Sequence, residues 1–296
     1  MNNKSNNTGL FLALASPVAF SCFNIGVRVL TGEVSVWELL FLRGCIGVAV
    51  ILVVARILKK RLWGSHRGLL LLIGFIGFLS TACTTTAITL IPLYQAMVIL
   101  YLYPSLAIVL SALINRERIN SRDGLGVGLA LTGCVLLIWP DETAGLDFQI
   151  GHLIGLLGSL FYSLSYVLTR RLGEDNCGLE PIFHYSLFAA LGAIPLGLVF
   201  GVQPSLNSVT VISACLALGA LGSLGQMMGY AALRWLPAYK VGVFGTLEVL
   251  GGVLASWLLF NDPMTIRTVI GGAVIIAVAF GLRRPAAIGG NNEKDD

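Results

Sequence analysis

Two ionisable side chains stand where ionisable side chains are expensive. Arg43, in Phe41-Leu42-Arg43-Gly44, lies well inside one long apolar run, and Glu248, in Gly245-Thr246-Leu247-Glu248-Val249, lies near the middle of another. At membrane depth a charge costs roughly 2.5–3.5 kcal/mol on insertion scales, so each needs a partner or a wet cavity. An acid and a base at that depth have three uses. Glu248 can take a substrate ammonium or a coupling proton, Arg43 can hold a substrate carboxylate, or the two can neutralise each other as a permanent ion pair between helices.

Weaker candidates surround them. His184 sits in an apolar run beside Tyr185, where a lone histidine is more often hydrogen-bonded packing than a working group. Amide and aromatic side chains at mid-run positions, Asn24, Tyr94, Gln95, Tyr101, Tyr103, Tyr162, Tyr166 and Gln226, are candidates to line a pathway. Pro104 removes a backbone donor and frees the carbonyl of Leu100 in mid-run, a break tolerated where protein or a wet cavity satisfies it. Catalysis would need a nucleophile with its base, paired carboxylates or clustered metal ligands. His66, His152 and His184 are scattered, the six cysteines lie far apart without a Cys-x-x-Cys pair, and no phosphate-binding glycine loop with its lysine occurs. The expectation is a non-enzyme without cofactor or metal.

The elements that carry these residues follow from composition. Hydrophobic residues make up 56% of the 296 and charged residues 11%, against roughly 25% charged in a soluble domain. The apolar residues fall in runs near the length a helix needs to cross lipid. Spans are expected at 9–29, 35–56, 68–89, 94–114, 123–139, 150–169, 180–201, 208–233, 237–260 and 264–282, in an all-α integral membrane protein. The division between the eighth and ninth rests only on Arg234, Trp235 and Pro237, so nine spans stay open there. With both termini cytoplasmic, all of the 19 Lys and Arg except Arg28, Arg267 and the in-span Arg43 fall on the cytoplasmic side, as the positive-inside rule requires. No basic stripe with interleaved aromatics occurs, which excludes nucleic acid as a partner. Trp37, Trp63, Trp139 and Trp235 suit interfacial anchoring.

The chain also matches itself. Ala87 to Pro92 lies over Ala232 to Pro237 at an offset of 145, which also pairs Glu117 with Asp262 and Gly126 with Gly271; near the start of each half the offset is 142, pairing Gly9 with Gly151, Ser21 with Ser163, Arg28 with Arg170 and Arg43 with Tyr185. The expected organisation is therefore two five-helix repeats, 1–146 and 147–285, followed by a disordered polar cytoplasmic tail at 286–296. Five is odd, so the second repeat enters the membrane inverted, the arrangement of many secondary transporters. Gly124-x-x-x-Gly128, Gly151-x-x-x-Gly155 and Gly225-x-x-x-Gly229 are expected to be sites of close helix packing rather than a dimer interface; the chain is compatible with a monomer or a homodimer.

The stretch from Ala87 to Ile138 resembles the EamA-type branch of the drug/metabolite transporter superfamily. The features are the Ala-rich helix at Ala87, mid-span Pro104, the Glu117-Arg118 turn, the spaced Gly124, Gly126 and Gly133, and the arginine-bearing Phe41-Leu42-Arg43-Gly44. The second half departs from the pattern, with Val249 in place of the proline and Asp262-Pro263 in place of Glu-Arg. The resemblance implies a ten-helix carrier of the bacterial inner membrane with a central cavity, moving small molecules, often exporting amino acids or related metabolites. Uptake of a nucleoside, vitamin or carboxylate and a non-transporting scaffold are the alternatives.

Overall fold

The computed structural model describes residues 3–64, 66–115, 121–139, 148–170, 172, 179–199, 208–232, 235 and 238–281. These form eleven helices and, among the described residues, no strand: α1 (Asn3–Val29), α2 (Val36–Ile57), α3 (Arg67–Leu90), α4 (Leu93–Leu100), α5 (Tyr103–Asn115), α6 (Ser121–Ile138), α7 (Ile150–Arg170), α8 (Leu179–Val199), α9 (Val209–Ala232), α10 (Ala238–Leu258) and α11 (Ile266–Gly281). Seven stretches are long and apolar enough to cross a membrane, with α4 and α5 together making one of them. Three shorter apolar helical stretches, Gly124–Leu136, Leu247–Leu258 and Ile266–Val278, lie in α6, α10 and α11. The eighth and ninth expected spans are separate helices, α9 and α10, with Trp235 in the turn between them. The Glu117-Arg118 turn and the 286–296 tail lie outside the described residues.

Helix starts follow the local sequence. Ser35 caps α2: its hydroxyl accepts from the Trp37 amide at 3.1 Å, and Glu38 reaches back to the Ser35 amide at 3.2 Å, a capping box. Glu38 is thus fixed in the first turn of its helix.

The fourth expected span is not one helix but two. It breaks at Tyr101-Leu102, three residues before Pro104, which cannot donate to Leu100. Ser159 of α7 fills the gap, donating from Oγ to the Leu100 carbonyl at 3.1 Å. Next to it Ser163 donates to the carbonyls of Tyr103 (2.9 Å) and Ser159 (2.7 Å). The hinge expected from Pro104 is therefore a helix break stitched to a neighbouring helix by two serines.

Short α4 is enclosed almost completely, with every residue from Leu93 to Ile99 buried. Around it the helices pair: α2 with α8, α3 with α7, α1 with α9, α6 with α11, α3 with α8, α2 with α9, α1 with α10, and α4 and α5 with α7. Where lipid is the solvent, such pairs hold by close packing of small residues and interhelical hydrogen bonds. Gly225 of α9 meets Ala19, Phe20 and Ser16 of α1, and Ser16 donates to the Gly225 carbonyl at 2.7 Å. Gly151 and Gly155 likewise bring α7 onto Ile91, Ala87 and Ile99. The expectation fails for Gly124-x-x-x-Gly128: a methyl at Gly128 would meet nothing within 4 Å, and α6 packs on α11 through Gly133 instead. A four-residue glycine spacing leaves a helix face bare without deciding that a second helix lies there.

Candidate functional site

Arg43, on α2, is only 5% exposed. Its guanidinium carbon stands 4.4 Å from the centre of the Phe23 ring of α1, 5.6 Å from Tyr185 of α8 and 6.0 Å from Phe20. Aromatic faces stabilise a desolvated cation through the ring quadrupole. Room for it comes from α9, where a methyl on Gly222 would lie 2.9 Å from Nε and 3.1 Å from Cζ. Among the described residues no carboxylate lies within ion-pair distance of Arg43, and both its Nε and the Tyr185 hydroxyl are buried without a hydrogen-bond partner.

Glu248, on α10, is half-buried. Its Oε1 accepts from Asn24 Nδ2 of α1 at 2.8 Å, while the same amide nitrogen faces Met97 Sδ of α4 at 3.3 Å. Two acceptors facing one nitrogen fix which way the amide is turned, because the reverse orientation would set an amide oxygen against a carboxylate. Ser21, one turn before Asn24, donates to the Glu248 carbonyl at 3.2 Å. Bare Gly251 and Gly252 let Ser21 and Met97 approach α10. The Arg43–Glu248 ion pair considered from sequence is not formed; the two side chains lie against consecutive residues of α1, Phe23 and Asn24.

The tyrosines form a second corner. Tyr103 meets Tyr162 at 4.7 Å, Tyr101 at 5.8 Å and Tyr166 at 6.3 Å between ring centres, all edge-on, and the Tyr101 hydroxyl donates to the Gly245 carbonyl of α10. Tyr162 and Tyr166 remain more than two-fifths exposed. Pro104 lies beside Tyr103 at the start of α5. His184 is fully buried away from this centre, with Nδ1 donating to the Glu180 carbonyl at 2.8 Å and the ring edge-on to Trp63 at 5.0 Å. Among the described residues its Nε2 has no hydrogen-bond partner.

Sequence reasoning missed a third group. Arg28 of α1 donates to the carbonyls of Ile88 (3.1 Å) and Ile91 (3.3 Å) at the end of α3 and lies 3.7 Å from Asp262. Asp262 accepts from Ser256 at 2.7 Å, Ser256 from the Tyr94 amide at 2.9 Å, and the Tyr94 hydroxyl from Gln95 at 3.1 Å. Since the Gln95 amide nitrogen is thus engaged, its oxygen accepts from His152 Nε2 at 2.9 Å. Tyr94 and Gln95, expected along a pathway, belong to this network. The available signal was that Arg28 and Asp262 fall on the same side of the expected topology.

The sequence profile of the EamA-like transporter family matches residues 7–139 and, a second time, 149–284. The chain belongs to that family. It is an integral membrane transporter. It is 26% identical over 94% of its length to the pseudopaline exporter of Pseudomonas aeruginosa, covering 96% of that protein. It is 21% identical to the S-adenosylmethionine uptake transporter of Rickettsia bellii over 92% of each chain. A solved crystal structure aligns with a TM-score of 0.62 at 21% identity, over 94% of this chain and 96% of the other, which supports the fold alone.

Proposed function

We propose that the chain is a ten-span secondary active transporter of the bacterial inner membrane, with both termini in the cytoplasm, exporting amino acids or related metabolites by alternating access. Its two halves are inverted five-helix repeats, counting α4 with α5 as one span. Contacts that repeat under the sequence offsets support the duplication. Ser21 donates to the Glu248 carbonyl, and Ser163 to that of Tyr103. Ser16 donates to Gly225, and Ser80 to Gly158. Gly222 lies against Arg43, and Gly77 against Tyr185. Each pair becomes the other when positions shift by 142 in one helix and 145 in its neighbour. Two successive matches to one family profile support the same reading.

The observation that carries the transport site is a buried arginine without a carboxylate partner beside a carboxylate that it does not pair with. A structural ion pair would have closed on itself. Here Arg43 and Tyr185 offer donors to a carboxylate, Glu248 offers an acceptor to an ammonium or a proton, and the tyrosines around Tyr103 and Pro104 line the approach. Relatives named for export and for uptake both occur, and export is favoured by the higher identity to the exporter, 26% against 21%.

The test is a metabolite panel in reconstituted vesicles comparing wild type, Arg43→Ala and Glu248→Gln. Wild type is expected to move an amino-acid-like compound, Arg43→Ala to lose it, and Glu248→Gln to lose flux or its dependence on a pH gradient. Equal flux through all three proteins refutes the site.

A further inference from the structure

Arg43 and Glu248 carry opposite charges, which attract strongly in a medium of low dielectric. They nevertheless stay unpaired. Each lies against one of two consecutive residues of α1, Phe23 and Asn24, both almost wholly buried. Successive helical residues point about 100° apart at 3.6 residues per turn, and here they point at different partners. Phe23 turns to α2 and lays its ring against the Arg43 guanidinium at 4.4 Å. Asn24 turns to α10 and holds the Glu248 carboxylate at 2.8 Å, its amide anchored from the other side by Met97.

The two halves of the chain offer an internal control. At the offsets above, Glu248 corresponds to Tyr103, Asn24 to Tyr166, Arg43 to Tyr185 and Phe23 to Ser165. Those counterparts also lie together: Tyr103 meets Tyr166 edge-on at 6.3 Å, and Tyr185 and Ser165 both flank Gly77. Where the acid is replaced, its amide is replaced with it. Where the arginine is replaced, its aromatic face goes too. Each escort occurs only where the charge it touches is present.

We infer that Phe23 and Asn24 are positioning residues that hold Arg43 and Glu248 apart, so that each charge stays available to a cargo group of opposite sign. The inference rests on the transport reading, but its test needs no cargo. Arg43→Gln, Glu248→Gln and the double variant are compared with the parent by apparent melting temperature in detergent, which gives the coupling between the two charges. The same four proteins are then made on an Asn24→Leu background, which keeps the branched shape and deletes the donor, on Asn24→Gln, which keeps the donor, and on Phe23→Leu.

The coupling is expected to be near zero with Asn24 or with Gln at that position, and to reach several degrees on the Asn24→Leu and Phe23→Leu backgrounds as the freed charges pair. A coupling of several degrees in the wild-type background overturns the proposal, as does its absence from both Leu backgrounds. Should Asn24→Leu fail to fold, the Phe23→Leu set carries the measurement. Wild-type vesicles that move no metabolite would refute the transport reading and leave the coupling result standing.

Discussion

Replacing Ser159 with alanine should destabilise the protein only while residue 104 is a proline. Ser159 is fully buried in α7, and its hydroxyl meets the Leu100 carbonyl at 3.1 Å across the break between α4 and α5. Pro104 has no N–H for that carbonyl, so Ser159→Ala strands a buried acceptor, at about 1–3 kcal/mol. Interhelical side-chain hydrogen bonds in membrane proteins average nearer 0.6 kcal/mol and reach about 1.7 kcal/mol. A loss of about 1–2 kcal/mol reconciles the two scales, because this acceptor has lost its backbone donor to proline. At roughly 2–4 °C per kcal/mol in chains of 150–250 residues, the apparent melting temperature should fall by about 2–8 °C. In a Pro104→Ala background residue 104 has an N–H four positions beyond Leu100, and the same Ser159→Ala change should cost about 0.5 kcal/mol or less. Thermal unfolding of the four proteins in one detergent measures both terms. An equal penalty in both backgrounds would refute the account of the break, since Ser159 would then be stabilising something other than the carbonyl that proline frees.

Glycine substitutions should separate filled space from empty space. Gly222→Ala puts a methyl 2.9 Å from Arg43 Nε and 3.2 Å from Phe23, and should depress flux in vesicles well beyond its effect on melting. Gly128→Ala, with nothing within 4 Å, should be silent in both assays, and an inert Gly222→Ala would show that the guanidinium is not confined by α9. Asp262→Asn keeps an acceptor for Ser256 and removes a partly exposed ion pair while Arg28 retains two backbone carbonyls; the expected cost is about 1 kcal/mol or less, and a melting loss several times larger would mean that Asp262 is the principal anchor of Arg28.

Much of the helical layout was legible because lipid imposes it: runs near 20 apolar residues must become helices, and charges must lie between them. The break near Pro104 was legible too, since a missing N–H is a property of the residue. What repairs the break was not, because Ser159 is 59 positions away and serines are common in α7. Asn24 and Glu248 were each singled out as polar residues at depth, yet their contact spans 224 positions and no local pattern encodes it. On the proposed duplication, the offset carried three-dimensional information as well. Arg43 and Tyr185 correspond at offset 142, and they prove to be in contact at 5.6 Å. Equivalent residues on two equivalent helices meet when both helices face the axis that relates the halves. The glycine spacing at Gly124 and Gly128 misled for the opposite reason, as it describes one surface and says nothing of what covers it.

On the two-half reading, divergence between the halves is uneven in a way that separates scaffold from site. The contacts that survive the offset are those of Ser and Gly with main chain: Ser21 and Ser163, Ser16 with Gly225, Ser80 with Gly158. These fix how closely two helices lie and at what register, and any cargo needs them equally. The side chains that differ, Arg43 against Tyr185, Glu248 against Tyr103, Asn24 against Tyr166, stand at corresponding positions and touch one another: Arg43 lies on Tyr185, Asn24 holds Glu248, and Tyr103 meets Tyr166. A duplicated bundle that needed only to be stable would gain nothing from burying an unpaired arginine on one side and not the other, since an apolar replacement of similar volume is often no less stable. Symmetry kept in the joints and lost at the axis fits a machine whose two halves must move alike while holding a cargo whose two ends are different.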